Sequence, residues 1–153
     1  MDLPDRFRDP ALARRIALIA QSHARLLGAP LVAEGEDLAE ALWNAPQVIL
    51  AHGTEADPLF YFANRAALAR FDARLDQIIG MPSRLSAEAP NRAERQALLD
   101  RVSRDGFIAD YSGVRISLTG QRFRIEQATV WNLIGADGGV CGQAASFRCW
   151  TEL

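Results

Sequence analysis

The chain predicts an α+β domain: a five-stranded antiparallel sheet with short helices on one face and an N-terminal helical extension. Three observations carry that prediction. The hydrophobic period runs helix, helix, strand, strand, several short helical turns, then three long strands. Those last strands are separated by Thr119-Gly120 and Asp137-Gly138-Gly139, where glycine supplies the positive φ that hairpin turns need. Finally, 153 residues at 49% hydrophobic are enough for one sizeable core. Residues 1–45 are read as the extension and 46–153 as the domain proper.

Each element has its own signal. Asp9-Pro10 combines an N-cap with a first-turn proline, and Leu12, Ile16, Ile19, His23 and Leu26 then form one stripe that ends at Gly28 and Pro30. A second helix, about Glu36 to Asn44, points Leu38, Leu42 and Trp43 inward and stops before Pro46. "QVILAH" and "PLFYFA" are short strands joined through "GTEAD". "NRAALARFDARL" is helical, with Ala67, Leu68 and Phe71 on one side. "DQIIGMPSRLSAEAPN" is broken by Gly80, Pro82 and Pro90 into short turns, and "RAERQALLDRVSRDG" is an amphipathic helix closed by Gly106. The three long strands are "FIADYSGVRISL", "RFRIEQATVWNLI" and "VCGQAASFRCW".

Strict alternation along the second long strand turns Phe123, Ile125, Gln127, Thr129, Trp131 and Leu133 toward the helices. The outward face then holds Arg115, Arg122, Arg124 and Glu126 at one end, with Val130, Ala145 and Phe147 further along. A two-residue turn at Asp137-Gly138 pairs Trp131 with Ala144 and Leu133 with Gly142. The inward residues Gly142, Ala144 and Ser146 are all small, which fits either close packing or room for a ligand. The apolar part of the outer face needs a cover, and the striped N-terminal helix can supply it from the same chain or from a second copy.

Composition narrows the function classes. A formal net charge of −2 and a pI near 5.7 give no reason to expect nucleic-acid binding, although all 17 basic residues are arginine. No run of about 20 apolar residues exists to span a membrane. The start, "MDLPDRFRDP", has no apolar core of a secretory signal, so the expected location is the cytoplasm. Cys141 and Cys149 fall in one extended run, roughly 26 Å apart at ~3.3 Å per residue, too far for a disulfide. Two cysteines and two scattered histidines do not make a structural zinc site.

"YFANRAALARF" resembles the junction of PAS domains, where the second strand ends in a tyrosine-x-asparagine-like pattern before an alanine-rich helix. Asparagine suits that junction because its side chain can cap the emerging helix. "HGTEADPLFYFANRAAL", "MPSRLSAEAPNRAERQALL", "YSGVRISLTGQRFRIEQATVWNLI" and "CGQAASF" together resemble stand-alone bacterial members of the MEKHLA domain family. That family is similar to PAS domains and also occurs at the C-terminus of class III homeodomain–leucine-zipper factors of plants. The resemblance runs from about Ser22 to Trp150, although the family's letter motif is absent. It implies a PAS-like sensory or ligand-binding fold with no established catalytic activity, and it names no ligand.

A pocket between sheet and helices is expected to involve His52, Phe62, Asn64, Arg84, Tyr111, Gln127, Thr129, Trp131 and Ala144. Arg84 offers a planar fork for a carboxylate or phosphate, or else a surface ion pair. Tyr111 offers core packing or a ligand hydrogen bond, and His52 a turn-stabilising bond or a contact at the pocket mouth. His23 sits on a helix stripe as a core or interface residue. The helix Arg92 to Arg104 lacks the histidine that haem-binding PAS domains use, and "GMPSRLSAE" lacks the cysteine of flavin-adduct photosensors. A small organic ligand or a flavin bound without an adduct stays open. With no catalytic motif, the leading expectation is a non-enzymatic sensor that signals through a partner or an oligomeric change. The alternative is a ligand-free interaction domain, dimerising through the N-terminal helix and the outer sheet face.

Overall fold

A computed structural model describes residues 2–33, 35 and 37–153. Helix α1 (Pro10–Leu27) starts where Asp9 accepts a hydrogen bond from the Leu12 N–H and ends at Gly28, whose φ of 71° a side chain would resist. Helix α2 (Leu38–Asn44) is capped by Asp37; the expected start at Glu36 lies outside the described residues. Strands β1 (Val48–His52) and β2 (Phe60–Ala63) follow, then α3 (Arg65–Arg70) and α4 (Leu75–Ile78). A 3-10 turn at Ser83–Ser86 leads into α5 (Ala89–Asp105). Strands β3 (Phe107–Ile116), β4 (Arg122–Ile134), β5 (Val140–Phe147) and β6 (Cys149–Glu152) complete the chain.

The sheet is antiparallel, in the order β2-β1-β5-β4-β3. The last expected strand breaks at Arg148, so β5 pairs with the end of β4 and β6 pairs with its beginning. The expected register holds: Trp131 faces Ala144 and Leu133 faces Gly142. The turn is longer than two residues. Gly135 N–H donates to Gly139 at 2.8 Å and Gly138 N–H to Gly135 at 2.9 Å, and a shift between Leu133 and Ile134 absorbs the difference.

The assignment of faces changes partway along β4. Pairing steps from Tyr111↔Ala128 to Gly113↔Ile125, so one extra β4 residue is accommodated, and Gln127 takes a left-handed φ of 53°. Alternation therefore changes phase. Phe123 and Ile125 do face the α3–α5 layer, and Ala128 and Val130 continue that face. Thr129, Trp131 and Leu133, expected to face those helices, belong to the opposite side, where Trp131 and Leu133 pack with Ile16 and Ile19. Val130, Ala145 and Phe147, expected outward, lie under the helices, and Arg115 is buried there too.

Helix α1 covers the second face, in the same chain. Trp131 donates its indole N–H to the Ile19 carbonyl at 3.0 Å, Ile134 N–H donates to Ser22 Oγ at 2.9 Å, and Tyr61 O–H donates to the Arg15 carbonyl at 3.0 Å. Phe7, Ile16, Ile19, Leu42 and Trp43 fill the space between. Both sheet faces are thus buried, giving helix, sheet and helix layers. Between β1 and β5, a Cβ on Gly142 would sit 2.3 Å from the His52 carbonyl oxygen. Its smallness serves close strand approach.

Candidate ligand-binding cavity

A cavity of about 60 Å³ lies between the sheet and the α3–α5 layer. Strand alternation aims His52 of β1, Tyr111 and Arg115 of β3 and Gln143 of β5 into it, while Leu50, Ile125, Val130 and Ala145 form its apolar floor. Helix α5 contributes Arg95, Leu98 and Leu99 from above, with Phe71 and Ser86 at the side. Arg95, Leu98 and Val102 are all buried, at the i, i+3, i+7 spacing of a single helix face. Gly113 makes room for Tyr111: a Cβ there would lie 2.1 Å from the phenol oxygen.

The polar groups have uneven partners. Arg95 is 7% and Arg115 8% exposed, yet neither forms an ion pair with a carboxylate among the described residues. Arg95 donates to Ser83 Oγ at 2.8 Å. Arg115 donates to the Val114 carbonyl at 2.9 Å and to the Tyr111 oxygen at 3.3 Å. Burial, and then the charge of Arg115, pushes the Arg95 pKa down to about 10, so the guanidinium stays protonated at neutral pH. His52 donates its Nδ1–H to the Gly53 carbonyl at 2.9 Å, which leaves Nε2 an acceptor, and burial holds its pKa below 6.5. Gln143 Nε2 is engaged by the Leu99 carbonyl, Ser103 Oγ and Asn132 Oδ1 at 3.1, 3.1 and 3.2 Å. A groove of about 220 Å³ outside the cavity shares His52, Leu99 and Gln143 as lining.

Of the residues singled out in the sequence, the fold brings His52, Tyr111 and Ala144 to the cavity wall. Phe62 instead packs on Phe7, ring centroids 5.0 Å apart, beneath α1. Asn64 is a structural clamp. Its Oδ1 accepts from Ala67 and Ile49 N–H at 3.0 and 3.1 Å, and its Nδ2 donates to the Leu42 and Gln47 carbonyls at 3.1 and 2.8 Å. Arg84 makes a surface ion pair with Asp57 at 3.1 Å. Gln127 is exposed at the bulge, Thr129 pairs with Ser146 on the α1 side, and Trp131 meets His23 edge-on at 4.9 Å. Sequence reasoning missed the two buried arginines. Arg115 was readable, because it shares the parity of Tyr111 on β3; Arg95 was hidden within a helix whose exposed face is also arginine-rich.

No helix among the described residues is long and apolar enough to cross a membrane, and no cluster of His, Cys, Asp and Glu there could hold a metal. Sheet order, helix layer and cavity are those of a PAS-like domain, and solved structures of that class share the fold. A light-oxygen-voltage domain studied with a flavin analogue superposes with a TM-score of 0.60 at 15% identity, over 77% of this chain and 85% of that one. A PAS domain from Colwellia psychrerythraea gives 0.59 at 15% identity, over 71% and 90%. The chain belongs to the MEKHLA domain family, which it matches over residues 13–152. It is 29% identical to homeobox-leucine zipper protein HOX9 of Oryza sativa subsp. indica over 93% of its own length and 17% of the relative's. It is 28% identical to ATHB-14 of Arabidopsis thaliana over 84% of its own length and 15% of that protein's. The chain thus spans about a sixth of the curated relatives it matches.

Proposed function

We propose that this chain is a cytoplasmic, non-enzymatic sensory module that binds a small molecule in the cavity beneath α5 and reports its presence to a partner or through a change of oligomeric state. The carrying observation is the cavity itself, where His52, Arg95, Tyr111 and Arg115 converge, with Ser86 and Gln143, on a space whose other walls are apolar. In a fold shared with sensory domains, such convergence supports ligand recognition. At about 60 Å³ the space falls well below the ~300–1,000 Å³ of drug-sized ligand sites, so it favours a ligand much smaller than a flavin.

The test is native mass spectrometry of protein purified from its own host, compared with the denatured mass. A reproducible extra mass per chain supports the reading and begins the identification. Bare masses, with no stabilisation by a metabolite panel, favour the ligand-free dimerisation domain instead. That second reading draws on Phe107, Val140 and Trp150, which stay 38%, 47% and 40% exposed. The outer face first assigned to it is already covered by α1.

A further inference from the structure

We infer that the cavity is a site for a short-chain monocarboxylate, its carboxylate held between Arg95 and Arg115 and its tail against Leu98, Ile125 and Val130. The inference rests on the ligand-binding reading above and names the class of ligand.

Charge comes first. A guanidinium cannot shed its proton at neutral pH, so burying one is unfavourable unless an anion accompanies it. Here two are buried, from different elements, and each lacks a carboxylate partner among the described residues. Asp57, the carboxylate whose charge acts on Arg95, is already paired with Arg84. Each guanidinium has five N–H donors, of which the described bonds use one on Arg95 and two on Arg115. Ser83 and the Val114 carbonyl fix where those forks sit, so the site is organised before any ligand arrives.

Shape and lining complete the assignment. On a scale where one water takes ~10–15 Å³, about 60 Å³ holds roughly four to six non-hydrogen atoms, the size of acetate to butyrate. A flat carboxylate matches the planar fork in two hydrogen bonds. Apart from His52, Ser86, Tyr111 and Gln143 the remaining wall is apolar, which suits a short hydrocarbon tail better than a second face of anionic oxygens.

The experiment is isothermal titration of the full chain, dialysed into a zwitterionic buffer at constant ionic strength, with acetate, propionate, butyrate and hexanoate. Propionamide and butyramide serve as neutral isosteres, and inorganic phosphate as a tailless anion. Saturable binding of propionate or butyrate is expected, with the amides weaker by ~10–100-fold, as loss of charge-assisted hydrogen bonds requires. Arg115→Met should lower propionate affinity by a similar factor, and Arg84→Met should leave it unchanged. The acid–amide comparison on the unaltered protein needs no variant to fold. Amides binding as well as acids would overturn the anion assignment while leaving a ligand-binding module standing. Hexanoate or phosphate binding best would overturn the short carboxylate. No binding by any probe, together with a co-purified extra mass in native spectra, would sink this inference alone. No binding and a bare mass would sink both readings.

Discussion

Asn64 and His52 show what single buried polar groups do here. All four hydrogen-bonding capacities of the Asn64 amide are used, tying the start of α3 to β1 and the end of α2. Asn64→Asp keeps the shape but turns an oxygen toward the Leu42 and Gln47 carbonyls, so it should cost about 3–5 kcal/mol in urea unfolding. A cost below about 1 kcal/mol would remove the clamp. His52 gives a pH signature. Its folded pKa is depressed, chiefly by burial, so as pH falls through 6.5 the unfolded chain takes up a proton that the fold resists. Stability should therefore decline from pH 6.5 downward, before Glu55 and Glu88, depressed from 4.5, add their own losses. The groups facing His52 are Arg95, whose charge lowers its pKa further, and Glu55, which raises it. His52→Gln should flatten the slope between about pH 6.5 and 5; an unchanged slope would place the titrating group elsewhere. The capping role of Asn64 was legible from sequence because a helix began directly after it. Its two donations to distant carbonyls were not, since they depend on where α2 ends in space.

At the scale of elements, β4 decides which side chains meet which layer. The hairpin register was readable, because glycine punctuation and period-two pattern agree from Leu133 back to Trp131. The bulge was not, because its left-handed residue is Gln127 and no glycine marks it. Continuous alternation then placed Trp131 and Thr129 with the α3–α5 helices, although Trp131 is locked to Ile19 of α1. The bulge makes a direct prediction. A glycine loses the side-chain clash of left-handed backbone, so Gln127→Gly should raise stability by about 1 kcal/mol, and Gln127→Val should lower it by a similar amount or more. Paired urea titrations check this, and equal effects of Gly and Val would mean that no left-handed residue is required there.

For the whole molecule, the sheet is a thin shared wall between the cavity and α1. Neighbouring residues of one strand face opposite ways: Val130 lines the cavity while Trp131 holds α1, and on β5 Gln143 and Ala145 line it while Ala144, which also borders the cavity, packs into the cluster under α1. A ligand that shifts Val130 or Gln143 must move the backbone that carries Trp131 and Ala144, because well-packed layers have little slack. If the cavity binds the proposed ligand, occupancy would have a route to the chain's opposite surface, by favouring one arrangement of α1 on the sheet. Hydrogen exchange with and without saturating propionate is the measurement. Slower exchange in α1 near Ile19 to His23, together with protection in α5, is expected if the sheet transmits occupancy. Trp131→Phe keeps most of the ring but loses the bond to the Ile19 carbonyl, and should weaken the α1 response while leaving the α5 response in place. Protection confined to α5 in the unaltered protein would instead make the cavity a site whose state never reaches α1. Signalling would then have to leave through the helices that cover the ligand.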